Sequence, residues 1–165
     1  MRTLLVPLSR NFHLDAGSAE TVEVVFGNRE DIEVVLAVAG RRFVEAADRA
    51  TVEEFDEPEN SFPLAGKGHR LTVPSVGDGV VARWRRRLSG EGMTITVTIP
   101  RDVRFTATIR YGSTVSDRLL DVDALALVAL AENPQGLLVE PEMVTGISIR
   151  GGCIRLTSRS SQEGL

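Results

Sequence analysis

The chain has 165 residues, of which 42% are hydrophobic and 25% charged, and its formal net charge at pH 7 is -4. A chain of this length and composition can bury a core of its own, and it is too apolar to belong to the disordered class. We therefore expect a single β-rich domain over residues 1–165. Cys153 is the one cysteine, which excludes an internal disulfide framework and a cysteine-rich zinc site.

The predicted strands follow from short runs of Val, Ile, Thr and Leu that are separated by Gly, Pro, Asn and Asp. In chain order they are Thr3–Leu8, Thr21–Phe26, Ile32–Ala39, Arg70–Pro74, Val80–Leu88, Met93–Ile99, Val103–Tyr111, Leu137–Glu140, Gly146–Arg150 and Cys153–Ser158. This pattern is typical of sandwiches and barrels. We predict an all-β domain, a β-sandwich or jelly-roll-like fold with mostly antiparallel strands and at most one short helix.

Two segments leave helix and strand open. Phe43–Phe55 begins with apolar residues at helical spacing, but Thr51 and Val52 favour a strand. Asp123–Glu132 begins with a plausible helix N-cap, yet its leucines alternate as in a strand. We prefer a strand for the second segment, because its predicted neighbours are strands.

The stretch VVARWRRRLSGEGMTITVTI, residues 80–99, places four arginines around the only tryptophan. Ser89–Gly92 has the composition of a hairpin loop, and a hairpin with this loop sets Trp84 opposite Val97. Both side chains would then face the core. Because successive strand residues point to opposite sides, the arginines next to Trp84 would face away from it.

A third predicted strand extends this polar side, which we call the Arg/Thr face. Its arginines are candidate partner-binding residues: Arg83, Arg85, Arg87, Arg104 and Arg110. Residues 80–111 contain seven arginines and two acidic residues, although the chain as a whole is net negative. Arg and Thr are also ordinary solvent-facing strand residues, so a solvated sheet face is the alternative to a binding surface.

An acidic segment over residues 45–60 complements the Arg/Thr face. Its candidate partner-binding residues are Glu53, Glu54, Asp56 and Glu57. Their spacing lacks the ligand order of an EF-hand calcium loop, which favours a solvated acidic edge over a metal site. We expect the two charged regions to meet between neighbouring copies, giving a homo-oligomer or a larger protein assembly.

Catalysis has little support in the sequence. His13 and His69 are the only histidines, and neither has a Ser, Cys or Asp at a recognisable motif spacing. Anion or nucleic-acid binding by the Arg/Thr face is the alternative function. Nucleic acid is disfavoured because Trp84, Phe105 and Tyr111 are expected to point inward, where they cannot stack on bases. We expect a protein that is not an enzyme and uses no cofactor or metal.

The location expected from the sequence is cytoplasmic, or within a particle that assembles in the cytoplasm. No apolar run approaches the roughly 20 residues of a membrane-spanning helix. The N-terminal MRTLLVPLSR lacks the length and the cleavage region of a secretory signal.

Residues 12–34, FHLDAGSAETVEVVFGNREDIEV, and residues 93–113, MTITVTIPRDVRFTATIRYGS, combine strand patterns with small-residue turns. In this they resemble the bacterial adhesin-like, β-rich family. The resemblance implies a β-solenoid or sandwich without a known active site. A virion or shell component is a second interpretation, because β-sandwich chains of this size also build shells. We expect a non-catalytic structural or interaction module that works through homo-oligomeric or particle assembly.

Overall fold

The computed structural model describes residues 1–57, 66–77, 80–100, 103–111, 114–118, 144–150 and 153–158. The predictions at Asp123–Glu132 and Leu137–Glu140 lie outside these residues. The described residues form strands and two short helices. The strands are β1 (Arg2–Pro7), β2 (Asn11–Asp15), β3 (Thr21–Phe26), β4 (Asp31–Ala39), β5 (Thr51–Glu57), β6 (Gly66–Thr72), β7 (Gly92–Ile99), β8 (Arg104–Tyr111), β9 (Thr114–Arg118), β10 (Val144–Arg150) and β11 (Cys153–Ser158). The helices are α1 (Arg41–Asp48) and α2 (Val80–Ser89).

The strands build two sheets around one core. Sheet A has the strand order β1-β4-β7-β3-β10-β11, and sheet B has the order β5-β6-β2-β8-β9. Most neighbours are antiparallel, but β3 is parallel to β7, and β2 is parallel to both β6 and β8. Buried side chains from both sheets belong to a single apolar cluster. Two sheets that share a core form a sandwich, so the all-β, mostly antiparallel prediction is confirmed.

Strict alternation explains how the strands face the core. In β7 the buried residues Met93, Ile95, Val97 and Ile99 alternate with half-buried threonines. Successive side chains of a strand point to opposite faces, so such a sequence buries one face completely. In sheet B the parallel strands β2 and β8 stack Phe12 on Phe105, with ring centroids 5.8 Å apart. Burial of side chains of this size contributes about 1.5–3 kcal/mol each.

Two helical connections cross between the sheets at the same end of the sandwich. α1 leads from β4 to β5, and α2 leads from β6 to β7. In sheet A, Ala39 at the end of β4 pairs with Gly92 at the start of β7. In sheet B, Thr51 at the start of β5 pairs with Thr72 at the end of β6. The two connections therefore start and finish at paired residues and cover one end of the core.

α1 is amphipathic in the ordinary sense. Its buried residues, Phe43, Ala46 and Ala47, recur at the spacing of one helix face and close the end of the core. The helix ends where the N–H of Arg49 donates to the carbonyl oxygen of Glu45, at 3.1 Å. The ambiguous segment Phe43–Phe55 thus contains both predicted structures, because α1 is followed by β5.

The strand predicted at Val80–Leu88 is wrong, because these residues form α2. Arginine, alanine and leucine all favour helices, and together they make up most of the segment. The helix ends in a Schellman motif, in which the N–H of Glu91 donates to the carbonyl of Arg86 at 3.2 Å. Gly90 has the positive φ of 70° that this motif requires. The predicted hairpin loop is therefore a helix terminus, and α2 is a second short helix that the sequence analysis did not predict.

Neither α1 nor α2, the helices of the described residues, has the length and apolar character needed to cross a membrane. Their lengths are 8 and 10 residues. A helix that crosses the hydrocarbon core of a bilayer needs about 20 residues.

Candidate protein-binding surface

Three large apolar side chains of α2 face solvent. Val81, Trp84 and Leu88 are 67%, 67% and 74% exposed. Their spacing of three and four residues places them along one helix face, which we call the apolar stripe. The prediction that Trp84 lies in the core is wrong, because that prediction depended on a strand register that the helix does not have.

Arginines border the apolar stripe. At about 100° per residue, Arg85 and Arg87 lie on its two sides, and Arg86 lies opposite to it. Arg85 and Arg87 are exposed, whereas Arg86 is only 9% exposed. Residues 80–89 include no acidic side chain. The solvent side of α2 is therefore apolar at its centre and cationic at its margins.

Arg86 attaches α2 to the sandwich. Its Nη2 donates to the carbonyl oxygen of Val76 at 2.7 Å and also to the carbonyl oxygen of Gly77. Its guanidinium carbon lies 5.4 Å from the centroid of the Phe43 ring in α1. A planar guanidinium is suited to this combination of carbonyl acceptors and an aromatic face. The side of α2 that carries Arg86 thus faces the domain, and the opposite side, with the apolar stripe, faces solvent.

The loop that receives Arg86 is itself fixed to the sandwich. The Oγ of Ser18 donates to the carbonyl oxygen of Val76 at 3.1 Å and accepts the N–H of Val76 at 2.9 Å. The Val76 carbonyl therefore accepts hydrogen bonds from both Ser18 and Arg86. Because this acceptor is held from two directions, Arg86 fixes the position of α2 as well as its orientation.

The three-stranded Arg/Thr face is wrong. Arg83, Arg85 and Arg87 belong to α2, while Arg104 and Arg110 belong to β8. The threonine-rich β7 pairs with β3 and β4 in sheet A, whereas β8 pairs with β2 and β9 in sheet B. The chain therefore passes from sheet A in β7 to sheet B in β8, and these two strands do not pair as a hairpin. The predicted basic residues are therefore divided between α2 and β8.

The predicted acidic residues lie on β5, an outer strand of sheet B. Glu53, Glu54 and Asp56 are exposed, and Glu57 is the last residue of the strand. Among the described strands, β5 pairs with β6 alone. Charged side chains on an edge strand oppose the addition of another strand. We call β5 with these four side chains the acidic edge strand.

The acidic edge strand is firmly attached to its neighbour. The guanidinium carbon of Arg70 in β6 lies 5.5 Å from the centroid of the Phe55 ring. Gly68 makes room for this ring, because a Cβ at Gly68 would lie 2.7 Å from Cζ of Phe55. The Oε1 of Glu54 is 3.5 Å from the Nε2 of His69. The Glu54 side chain is 86% exposed, so its carboxylate is also available to a cation of another chain.

Within one chain, α2 and the acidic edge strand remain separate. Across the described side chains, no ion pair or hydrogen bond joins an arginine of α2 to a carboxylate of β5. The arginines of α2 and the carboxylates of the acidic edge strand are therefore not brought together within the described part of one chain. Contact between them requires a second chain.

The histidines belong to the strands of sheet B. His13 is buried in β2, and His69 lies in β6. In the part of the chain that the structure describes, no three His, Cys, Asp or Glu side chains are grouped to hold a metal ion. The exposed apolar and cationic side of α2 is therefore the site with the most distinct chemistry among the described residues.

The apolar stripe is a feature of the site that the predicted strand does not contain. The signal was present, because Val81, Trp84 and Leu88 follow the three-and-four spacing of a helix and Gly90 stands where a helix C-cap needs it. The same segment also fits a strand, because Val80, Ala82 and Trp84 alternate with other residues at a spacing of two. Over so short a segment both periods fit, and interpreting Ser89–Gly92 as a hairpin loop favours the strand.

Comparisons of the chain with protein-family models, curated proteins and solved structures found no match. The resemblance to the adhesin-like family stays a prediction.

Proposed function

We propose that the protein is a non-catalytic structural or interaction module that works by assembling with other copies of itself, with the solvent side of α2 as the contact surface. One observation carries this proposal: α2 turns a buried arginine toward the domain and an apolar stripe toward water. Exposed apolar side chains gain free energy when a partner covers them. Tryptophan and arginine are also the residue types that contribute most often to interface hot spots.

The size of the apolar stripe suits an assembly built from repeated contacts. Covering Val81, Trp84 and Leu88 would supply roughly 1.5–3 kcal/mol for each side chain that becomes fully buried. Association costs several kcal/mol in lost translational and rotational freedom, so one such contact is weak. A closed assembly in which each chain makes two contacts is more stable, because its second contact forms within the same complex.

The proposal is tested by sedimentation velocity over a concentration series up to about 100 μM, where a micromolar contact populates oligomers. The wild type should form oligomers, and the Trp84→Ser/Leu88→Ser variant should remain monomeric at every concentration. The matched control is Leu5→Ser/Leu8→Ser, which changes two other exposed apolar residues. The control should associate like the wild type.

A wild type that stays monomeric throughout the series would refute assembly through α2. Equal loss of association in the Leu5→Ser/Leu8→Ser control would assign the contact to exposed apolar surface in general. Circular dichroism of each variant checks that the fold is retained.

Nucleic-acid binding is the second candidate function, and one observation favours it. Trp84 is exposed next to Arg85 and Arg87, so the expected inward orientation no longer prevents it from stacking on a base. Single strands are bound by this combination of aromatic platforms and cations. The net charge of -4 opposes it, because the rest of the surface repels phosphate.

Trp84 is the only tryptophan, so its fluorescence reports this second function directly. Quenching by a single-stranded oligonucleotide at low salt, lost at about 200 mM salt, would support nucleic-acid binding. Unchanged fluorescence at low salt would exclude Trp84 as a stacking platform.

A further inference from the structure

We infer that the partner of the apolar stripe is the acidic edge strand, β5, of a second copy of the chain. This inference rests on the proposed function, since it names the surface that α2 contacts in the assembly. It follows from charge, from apolar composition and from length.

Charge excludes the simplest alternative, a contact between the α2 helices of two copies. Residues 80–89 contain four arginines and no acidic residue. Two such helices placed face to face would bring Arg85 and Arg87 of one copy close to the same residues of the other. Like charges in contact oppose association, so an acidic surface complements α2 better than a second α2 does.

The acidic edge strand has the composition that α2 lacks. Residues 51–57 contain four carboxylates and no basic residue. Glu53, Glu54 and Asp56 are exposed, so their charges are available to a neighbouring chain. Val52 is 38% exposed and adds apolar surface within the same strand. The apolar stripe and the acidic edge strand are therefore opposite in charge, and each also offers apolar surface to the other.

β5 is also long enough for α2 to lie along it over the whole length of the helix. α2 has 10 residues and, at 1.5 Å per residue, is about 15 Å long. β5 has 7 residues and, at about 3.3 Å per residue, is roughly 23 Å long. A helix laid along this strand covers an outer edge of sheet B, which is one way in which proteins protect an edge.

The contact joins two different surfaces, and each chain carries one copy of each. The assembly is therefore complete only when every α2 and every β5 is occupied. Two chains satisfy this condition by exchanging both contacts, and a larger number of chains satisfies it by closing a ring. In either case α2 of one chain never contacts α2 of another.

Charge reversal on each side provides the test. The helix variant is Arg85→Glu/Arg87→Glu, and the strand variant is Glu54→Arg/Asp56→Arg. Each variant alone should associate more weakly than the wild type by on the order of tenfold or more, because attraction is replaced by repulsion. The control is Arg10→Glu/Arg42→Glu, which makes the same charge change at two other exposed arginines. The control should associate within about threefold of the wild type, since exposed charges away from a contact have small effects.

An equimolar mixture of the helix variant and the strand variant is the decisive measurement. In the mixture the unchanged α2 of the strand variant meets the unchanged β5 of the helix variant. The reversed α2 meets the reversed β5, so every contact between the two variants joins opposite charges. The mixture should therefore form oligomers that contain the two variants in equal amounts, which native mass spectrometry resolves by mass.

The outcomes separate this inference from the proposed function. Restored assembly in the mixture supports the α2 to β5 contact. If Trp84→Ser/Leu88→Ser abolishes association but the strand variant associates like the wild type, the function stands and the inference is overturned. If the wild type is monomeric, both are overturned. Urea unfolding of each variant confirms that it is folded before its association is interpreted.

Discussion

α1 and α2 lie at the same end of the sandwich, yet they turn opposite kinds of surface toward it. α1 buries Phe43 and two alanines, and its polar side faces water. α2 buries Arg86 and presents the apolar stripe to water. Both helices cross between the same two sheets, so position in the fold does not explain the difference. The difference comes from the side chains that contact the sandwich. The Phe43 ring of α1 fills the end of the core, and the guanidinium of Arg86 in α2 packs on that ring.

The comparison separates folding from binding. α1 completes the apolar core, so its residues should determine the free energy of unfolding. α2 is attached through the carbonyl contacts of one guanidinium, so its other residues should affect association more than stability. Substitutions in the two helices should therefore have effects that differ in size and in kind.

The largest expected effect is that of Phe43→Ala in α1. The ring is fully buried and contacts both the core and Arg86, so its removal should lower the free energy of unfolding by about 3–5 kcal/mol. Urea unfolding at a concentration where the protein is monomeric measures this change. The neighbouring Val44→Ala is the control, because Val44 is 44% exposed, and it should cost less than roughly 0.5 kcal/mol. Similar costs for the two variants would mean that α1 does not close the core.

An intermediate effect is expected for Arg86→Met. The substitution keeps an apolar stem but removes the donors to Val76 and Gly77, which should cost about 1.5–3 kcal/mol of unfolding free energy. Arg87→Met is the control, since Arg87 is exposed on the same helix. If both variants unfold at the same urea concentration, then Arg86 does not attach α2 to the domain.

The smallest effect on stability is expected for Trp84→Ala, at less than roughly 0.5 kcal/mol in the monomer. The side chain is 67% exposed, so little packing is lost within one chain. The same variant should nevertheless weaken association, as the proposed function requires. Urea unfolding at a concentration where the protein is monomeric measures the effect on stability separately from the effect on association. A loss of several kcal/mol in that measurement would mean that Trp84 is packed in the core.

Most of the strands could be predicted because each carries its own signal. Thr21–Phe26 was predicted to the residue as β3, and Met93–Ile99 falls within β7. In both, apolar residues alternate with polar ones, and this local pattern reflects a sheet with one buried face. β2 was missed because its run is short and its polar residues Asn11 and His13 are buried as well. Its burial depends on neighbours on both sides, which the local sequence does not reveal.

The candidate site could be predicted only in part, because it depends on long-range pairing. β7 and β8 are consecutive in the chain, and this favoured a hairpin. Instead β7 pairs with β3 and β4, and β8 pairs with β2, so the arginines of the two regions are divided between elements. The basic residues Arg85 and Arg87 and the acidic residues Glu53 and Glu54 were identified as exposed candidates without knowledge of the fold. Which element carried them could not be deduced from charge alone.

The parallel pairs at the centres of both sheets have a consequence for how the chain folds. β2 lies between β6 and β8, and β3 lies between β7 and β10. Phe12 pairs with Phe105, a separation of about ninety residues in the chain. Contacts between such distant residues form slowly, and folds rich in them fold in milliseconds to seconds. During synthesis β2 and β3 are made long before β8 and β10. Both strands therefore lack these partners while the nascent chain is incomplete and most prone to aggregate.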